Sequence, residues 1–170
     1  MNNILLTNGE LYDKLLTHKE GLQHYAFSLF LFNEKNEILI QKRANCKYHS
    51  GGLWSNSCCS HFKNIDEFNN KEQTIRNRLK EELGIDYLGD LKNVCHFEYN
   101  EKVGNGLIEN EFDYIFIGKI SSATEFKLNK EEVEDIKFIT IEDLKQELDK
   151  NTNNYTVWLK LIIVNNLLKI

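Results

Sequence analysis

The stretch His24-Tyr25-Ala26-Phe27-Ser28-Leu29-Phe30-Leu31-Phe32 constrains this chain more than any other. It is apolar almost without interruption, whereas a half-exposed strand alternates polar and apolar side chains. Such a strand needs cover on both faces, so the sequence predicts a buried sheet flanked by helices. Asn33-Glu34-Lys35-Asn36 reads as a turn, and residues 37–43 read as the hairpin partner. Further strands are predicted at 54–57, 94–99, 111–120 and 136–139, with a Gly-Asn-Gly loop at 104–106.

The helical signals alternate with these strands. Phe68, Ile75, Leu79 and Leu83 form an apolar stripe near helical spacing. Asp66 is the expected N-cap, and Gly84 closes the helix. Thr140, followed by Glu142 and Asp143, marks a second helix start. A last helix runs from Thr152 or Tyr155 to Leu168, with Trp158, Leu159, Ile162 and Ile163 on its apolar side. Residues 1–10 read as a mobile lead-in, and 10–17 as a short amphipathic piece. No repeat or linker interrupts the 170 residues, so one domain over 1–170 is expected. The pattern is α/β or α+β, a mixed sheet with flanking helices.

The net charge of −5 argues against nucleic-acid binding. No apolar run approaches the roughly 20 residues that span a bilayer, and the start lacks a basic export segment. Cys46, Cys58, Cys59 and Cys95 form no CxxC pair, so free thiols and a cytoplasmic location are expected.

Chemistry concentrates in Gly51-Gly52-Leu53-Trp54-Ser55-Asn56-Ser57-Cys58-Cys59-Ser60-His61. Cys59 and His61 are two apart, hence on one face of an extended chain, and Cys58 points away from them into the core. The plain alternative is a buried free cysteine beside a surface histidine. His18, His24, His61, Glu109 and Glu111 are the metal-competent residues. Three imidazoles with two or three carboxylate oxygens suit an open five- or six-coordinate ion, not a closed structural zinc. Lys14, Arg43, Lys47 and Arg78 are cations that, if they converge, suit a diphosphate; otherwise they are scattered solvated charges. Glu81 and Glu82, at the end of their helix, could serve a Mg²⁺ bridging to phosphate. Arg78 and Glu82 could equally form a solvated i,i+4 pair.

Arg76-Asn77-Arg78-Leu79-Lys80-Glu81-Glu82-Leu83-Gly84-Ile85 resembles the Nudix box, R-E-U-x-E-E-x-G-U. Asn77 and Arg78 replace its Arg and first Glu, which weakens a hydrolase reading and favours phosphate binding. From Lys14 to Trp158 the chain is similar to the type 1 isopentenyl-diphosphate isomerases, which have the Nudix fold. Four stretches carry the resemblance: His18-x-x-Gly21-x-x-His24-x-Ala26-Phe27, Gly52 through His61, Arg78-Leu79-x-x-Glu82-Leu83-Gly84, and Glu109-Asn110-Glu111. Phe62 and Val157 stand where the family has proline.

The resemblance implies a role for each matching residue. His18, His24, His61, Glu109 and Glu111 would hold one Mn²⁺, Mg²⁺ or Zn²⁺. Glu82 would contact a Mg²⁺ on the substrate diphosphate, which Lys14, Arg43, Lys47 and Arg78 would clamp. Cys59 and Glu111, with Tyr99 beside Glu111, would carry the proton transfers. Trp158 would cover the hydrocarbon end. The preferred direction has Glu111 with Tyr99 protonating and a Cys59 thiolate deprotonating. The implied reaction interconverts isopentenyl and dimethylallyl diphosphate through a tertiary carbocation, in isoprenoid biosynthesis. A monomer or weak homodimer with a small-molecule substrate is expected. Alternatives are a Nudix diphosphohydrolase and a non-catalytic Nudix-fold binding module.

Overall fold

The computed structural model describes residues 2–168. A short hairpin, β1 (Asn3–Leu5) and β2 (Leu11–Asp13), leads into α1 (Lys14–Glu20). The main sheet contains β3 (His24–Phe32), β4 (Ile38–Arg43), β5 (Trp54–Ser55), β6 (Cys58–His61), β7 (Leu91–Gly104), β8 (Leu107–Lys119) and β9 (Val133–Ile139). The helices α2 (Ile65–Asn69) and α3 (Lys71–Leu83) follow β6; α4 (Ile141–Lys150) and α5 (Val157–Val164) close the chain.

The apolar run becomes the sheet's central strand, as its composition demands. β3 lies parallel to β8 and antiparallel to β6 and β4. Its odd-numbered side chains Phe27, Leu29 and Leu31 pack with Ile75, Leu79 and Leu83 of α3. Its even-numbered Phe30 and Phe32 pack on the other face, with Leu144 and Leu148 of α4 and Leu159 and Ile162 of α5. Each such fully buried side chain contributes roughly 1.5–3 kcal/mol. The even face is apolar only in its second half; His24, Ala26 and Ser28 precede Phe30 there. That switch from polar to apolar along one face leaves the site at one end of the sheet and the core at the other.

Several expectations are corrected. Within the expected lead-in at 1–10, of which Met1 lies outside the described residues, Ile4, Leu5 and Leu6 are buried and packed. Leu5 N–H donates to Phe62 O at 2.8 Å, and Leu6 bridges to His24. The predicted amphipathic piece splits into β2 and α1, with Asp13 capping the helix by accepting from Leu16 N–H. The helix expected from Asp66 is two helices broken at Asn70, and its N-cap is Asn64, whose side chain accepts from Glu67 N–H. β4 meets β3 at one register pair, Phe32↔Ile38, then pairs along its length with β9. The last helix ends at Val164 rather than Leu168.

Other features match. Gly84 ends α3 at φ 68°, and a Cβ there would lie 2.5 Å from Lys127 O, so the close approach requires glycine. Asn105 and Gly106, both at positive φ, make the tight β7–β8 turn. Thr140 caps α4 by accepting from Asp143 N–H.

Candidate active site

Strand register builds the site. His24 pairs with Glu111, Ala26 with His61, and Ser28 with Cys59. Tyr99 on β7 pairs with Glu111. Cross-strand partners share a face, so His24, Cys59, His61, Tyr99 and Glu111 all project to the polar half of the even face. Cys58 projects to the opposite face, is fully buried, and belongs to the α3 core, as its parity requires.

Four of the five metal-competent residues meet at one point. His18, His24, His61 and Glu109 offer ligand atoms all within 4.8 Å of one another. Glu109 Oε2 is 3.2 Å from His18 Nε2, 3.3 Å from His24 Nε2 and 3.6 Å from His61 Nε2. Glu111 adjoins them through Oε1, 2.9 Å from His61 Nε2 and 3.8 Å from His24 Nε2. α1 supplies His18; its C-cap Gly21 has φ 66° and accepts from Asn110 Nδ2 at 2.9 Å, tying α1 to β8.

The donor set fits a divalent ion. His18 Nδ1 lies 2.5 Å from Lys14 O, and His24 Nδ1 lies 2.9 Å from Leu22 O. A carbonyl only accepts, so each Nδ1 carries a hydrogen, and Nε2 is the nitrogen each ring turns to the cluster. His24 Nε2 and Glu109 Oε2 are buried without a hydrogen-bond partner, an arrangement a bound cation satisfies. Burial raises the Glu109 pKa, but contacts with His18, His24, His49 and His61 outweigh it and hold the carboxyl well below its usual range. The cluster can therefore hold a metal ion.

The cluster opens on a narrow cleft whose cavity is about 50 Å³. Lys14, Arg43, Lys47 and Arg78 line it together with Cys59, Glu111 and Trp158, so the four cations converge. Lys47 pairs with Glu132, and Arg78 pairs with Glu81, Glu82 and Glu132. Among the described residues, neither Lys14 nor Arg43 has such a carboxylate partner. Burial, then the charges of Lys47, Arg78 and Arg43, lower the Lys14 pKa to about 8 against the pull of Glu109. Arg43 is anchored by donating to Ser50 O at 3.2 Å and His49 O at 3.3 Å.

Trp158 faces the same cleft from α5. Its Nε1–H is shared between Ser55 Oγ at 3.0 Å and Asn56 Oδ1 at 3.1 Å, and Asn56 Nδ2 donates to Cys58 O at 2.8 Å. One amide thus connects the indole with the strand carrying Cys59. Tyr99 stands behind Glu111, donating from its hydroxyl to Oε2 at 2.8 Å. Burial pushes the Cys59 thiol up to about 12; Arg43 opposes, while Glu82, Glu111 and Asp113 reinforce. Burial and the neighbouring acidic groups thus disfavour a Cys59 thiolate unless positive charge compensates it.

Glu82 is the predicted residue the structure sets apart. It is buried, pairs through Oε1 with Arg78, and accepts from Gln41 Nε2 at 2.9 Å through Oε2. It does not line the cleft. Conversely, sequence reasoning missed His49, Tyr48, Ser28 and Glu132. Residues 44–50 read as a polar loop, although His49 is one of five histidines and directly precedes Ser50-Gly51-Gly52, a usable signal.

A sheet covered by helices on both faces, with paired carboxylates and imidazoles beside a cationic cleft, defines a Nudix-fold enzyme. The sequence matches the NUDIX domain over residues 22–160. Two solved structures share the fold: the MutT protein of Methanosarcina mazei (TM-score 0.61, 14% identity, 84% of this chain and 91% of that one) and a NUDIX hydrolase of Alicyclobacillus acidocaldarius (0.64, 9%, 82% and 89%). Sequence relatives are more specific. The chain is 40% identical to isopentenyl-diphosphate Delta-isomerase 2 of Aromatoleum aromaticum, covering 86% of this chain and 74% of that protein. It is 42% identical to isopentenyl-diphosphate Delta-isomerase 2 of Photorhabdus laumondii (86% and 78%) and to the isopentenyl-diphosphate Delta-isomerase of Aliivibrio fischeri (86% and 81%). The chain belongs to the isopentenyl-diphosphate Delta-isomerase family of Nudix proteins.

Proposed function

We propose that the chain interconverts isopentenyl and dimethylallyl diphosphate, with Cys59 and Glu111 as the two proton-transfer groups. The observation that carries this reading is their placement: they reach one cleft from β6 and β8, the strands on either side of β3. An alkene held between them gains a proton at its terminal methylene, which leaves a tertiary cation. Loss of a proton from the carbon nearer the diphosphate then gives the internal alkene. The reaction is reversible, so the group that donates in one direction accepts in the other. Cys59 rests with its proton; Tyr99 holds Glu111 Oε2 so that the other oxygen faces the cleft.

Lys14, Arg43, Lys47 and Arg78 bind the diphosphate, a dianionic or trianionic group that their convergence suits. Trp158 covers the cation, which an aromatic face stabilises by about 2 kcal/mol when water is excluded. His18, His24, His61, Glu109 and Glu111 are the residues that would hold Mn²⁺, Mg²⁺ or Zn²⁺. A bound divalent ion would supply positive charge that orients Glu111 and shifts its proton affinity. Glu82, which does not line the cleft, could reach a Mg²⁺ accompanying the diphosphate only by releasing Arg78, with which it pairs. Cys46, Cys58 and Cys59 are free thiols, which supports a reducing, cytoplasmic setting. Among the described residues no helix is long and apolar enough to cross a membrane.

The test is NMR of the protein with isopentenyl diphosphate and Mg²⁺ in D₂O. Deuterated dimethylallyl diphosphate is the expected product. Free phosphate without isomer would move the chain to the hydrolases, and no reaction by folded, metal-loaded protein would leave a binding module.

A further inference from the structure

We infer that His49 is a positioning residue for the metal cluster, holding one oxygen of Glu109 so that the other faces the three imidazoles. This rests on the metal site proposed above. Glu109 is divided between two sides: Oε2 lies toward His18, His24 and His61, while Oε1 is 2.7 Å from His49 Nε2. Among the described residues that buried nitrogen makes no hydrogen bond of good geometry, and Glu109 Oε1 at 2.7 Å is the carboxylate oxygen it is held against. His49 is 2% exposed, so its ring nitrogen cannot turn to water without opening the site.

The ring is itself fixed. Ser50 Oγ lies 3.1 Å from His49 Nδ1. With the hydroxyl donating there, the neutral ring carries its hydrogen on Nε2, the tautomer that can donate to a carboxylate. Tyr48 packs edge-on at 4.3 Å between centroids and Trp158 at 6.0 Å. Arg43 binds the carbonyls of His49 and Ser50, fixing the loop that presents the ring. Gly51 lets the loop turn back on itself; a Cβ there would lie 2.7 Å from Asn45 O. The order Ser50–His49–Glu109 thus resembles, around the carboxylate at the centre of the cluster, the outer contacts that orient ligands in metal sites. His49 approaches Glu109 through Oε1, not through the Oε2 that the three imidazoles surround, which argues for orienting and not ligating.

The test is Co²⁺ titration of the metal-stripped full chain, read by calorimetry and by visible absorption. His49→Ala is expected to weaken Co²⁺ binding roughly 10- to 100-fold while the absorption bands keep their wild-type positions. His49→Gln, whose amide can still donate to Oε1, is expected to restore most of the affinity. Wild-type affinity in His49→Ala would overturn the inference. So would shifted bands, which would make His49 a ligand, or a His49→Gln variant no better than His49→Ala. Should His49→Ala fail to fold, Ser50→Ala carries the test. It frees the tautomer and leaves the ring, and several-fold weaker binding supports the inference where unchanged binding overturns it. A wild-type chain that binds no Co²⁺ would instead count against the metal site itself.

Discussion

Cys59 and Glu111 face one cleft from opposite neighbours of the same strand. Ser28 of β3 pairs with Cys59, and His24, four residues earlier, pairs with Glu111. The spacing between the two proposed proton-transfer groups is therefore set by a sheet whose central strand is among the most buried parts of the molecule. Loops do not define it.

Two adjacent cysteines give the first test. Cys59→Ala is expected to lower isomerase turnover by roughly 10²- to 10⁴-fold, the range for a positioned acid or base. Cys58→Ala is expected to keep most turnover and to lose about 1 kcal/mol of stability, since Cys58 fills the α3 core. Steady-state kinetics and urea unfolding separate the two, and an equal loss of turnover would overturn the assignment of Cys59.

Trp158 combines a ring face with a shared N–H. Trp158→Phe keeps a weaker aromatic face and leaves Asn56 and Ser55 short of a donor, so about a tenfold drop in turnover is expected. Trp158→Leu removes the quadrupole too; about 2 kcal/mol of cation stabilisation corresponds to a loss of roughly 30-fold. A Leu variant as active as Phe would exclude a cation-stabilising role.

Metal addition is expected to raise the unfolding temperature of EDTA-treated protein. At a hundred times its dissociation constant an ion stabilises by about 2.7 kcal/mol. Glu109→Gln removes the carboxylate at the centre of the cluster and is expected to abolish the shift. Differential scanning fluorimetry with Mn²⁺ and Zn²⁺ measures both.

Lys14 predicts a pH profile. Burial and the neighbouring cations place its pKa at about 8, so the ammonium is present below that pH and lost as pH rises through it. Diphosphate attraction follows the charge, and kcat/KM is expected to fall above about pH 8. Lys14→Arg, which keeps its charge, is expected to flatten that limb. The sign for stability is opposite. The folded chain binds fewer protons at Lys14 than the unfolded chain between about 8 and the ordinary lysine value, so this residue's contribution to stability rises with pH there.

The central strand, the β7–β8 turn and the Gly84 stop were legible because local composition and conformation agree there. The site residues were legible through spacing and family resemblance together; parity alone placed Cys59 with His61 and turned Cys58 inward. The packed hairpin at 3–13 was not legible, since the hydrogen bond from Leu5 to Phe62 and the bridge from Leu6 to His24 are tertiary. The transfer of β4 from β3 to β9 escaped for the same reason. His49 escaped because loop polarity suggests solvent, whereas Arg43 folds that loop over Glu109.

The parallel pairing of β3 with β8 also sets an order of events during synthesis. His24 and Glu111 are register partners although about half the chain lies between them. A nascent chain that has emerged only through α3 carries all three imidazoles and the thiol but neither Glu109 nor Glu111. Pairing between such distant segments is slow to form compared with local helices. Metal uptake by the proposed site would thus be a clock for completion of the sheet during refolding, and in a truncated product the same histidines would be left as unclaimed, promiscuous bases.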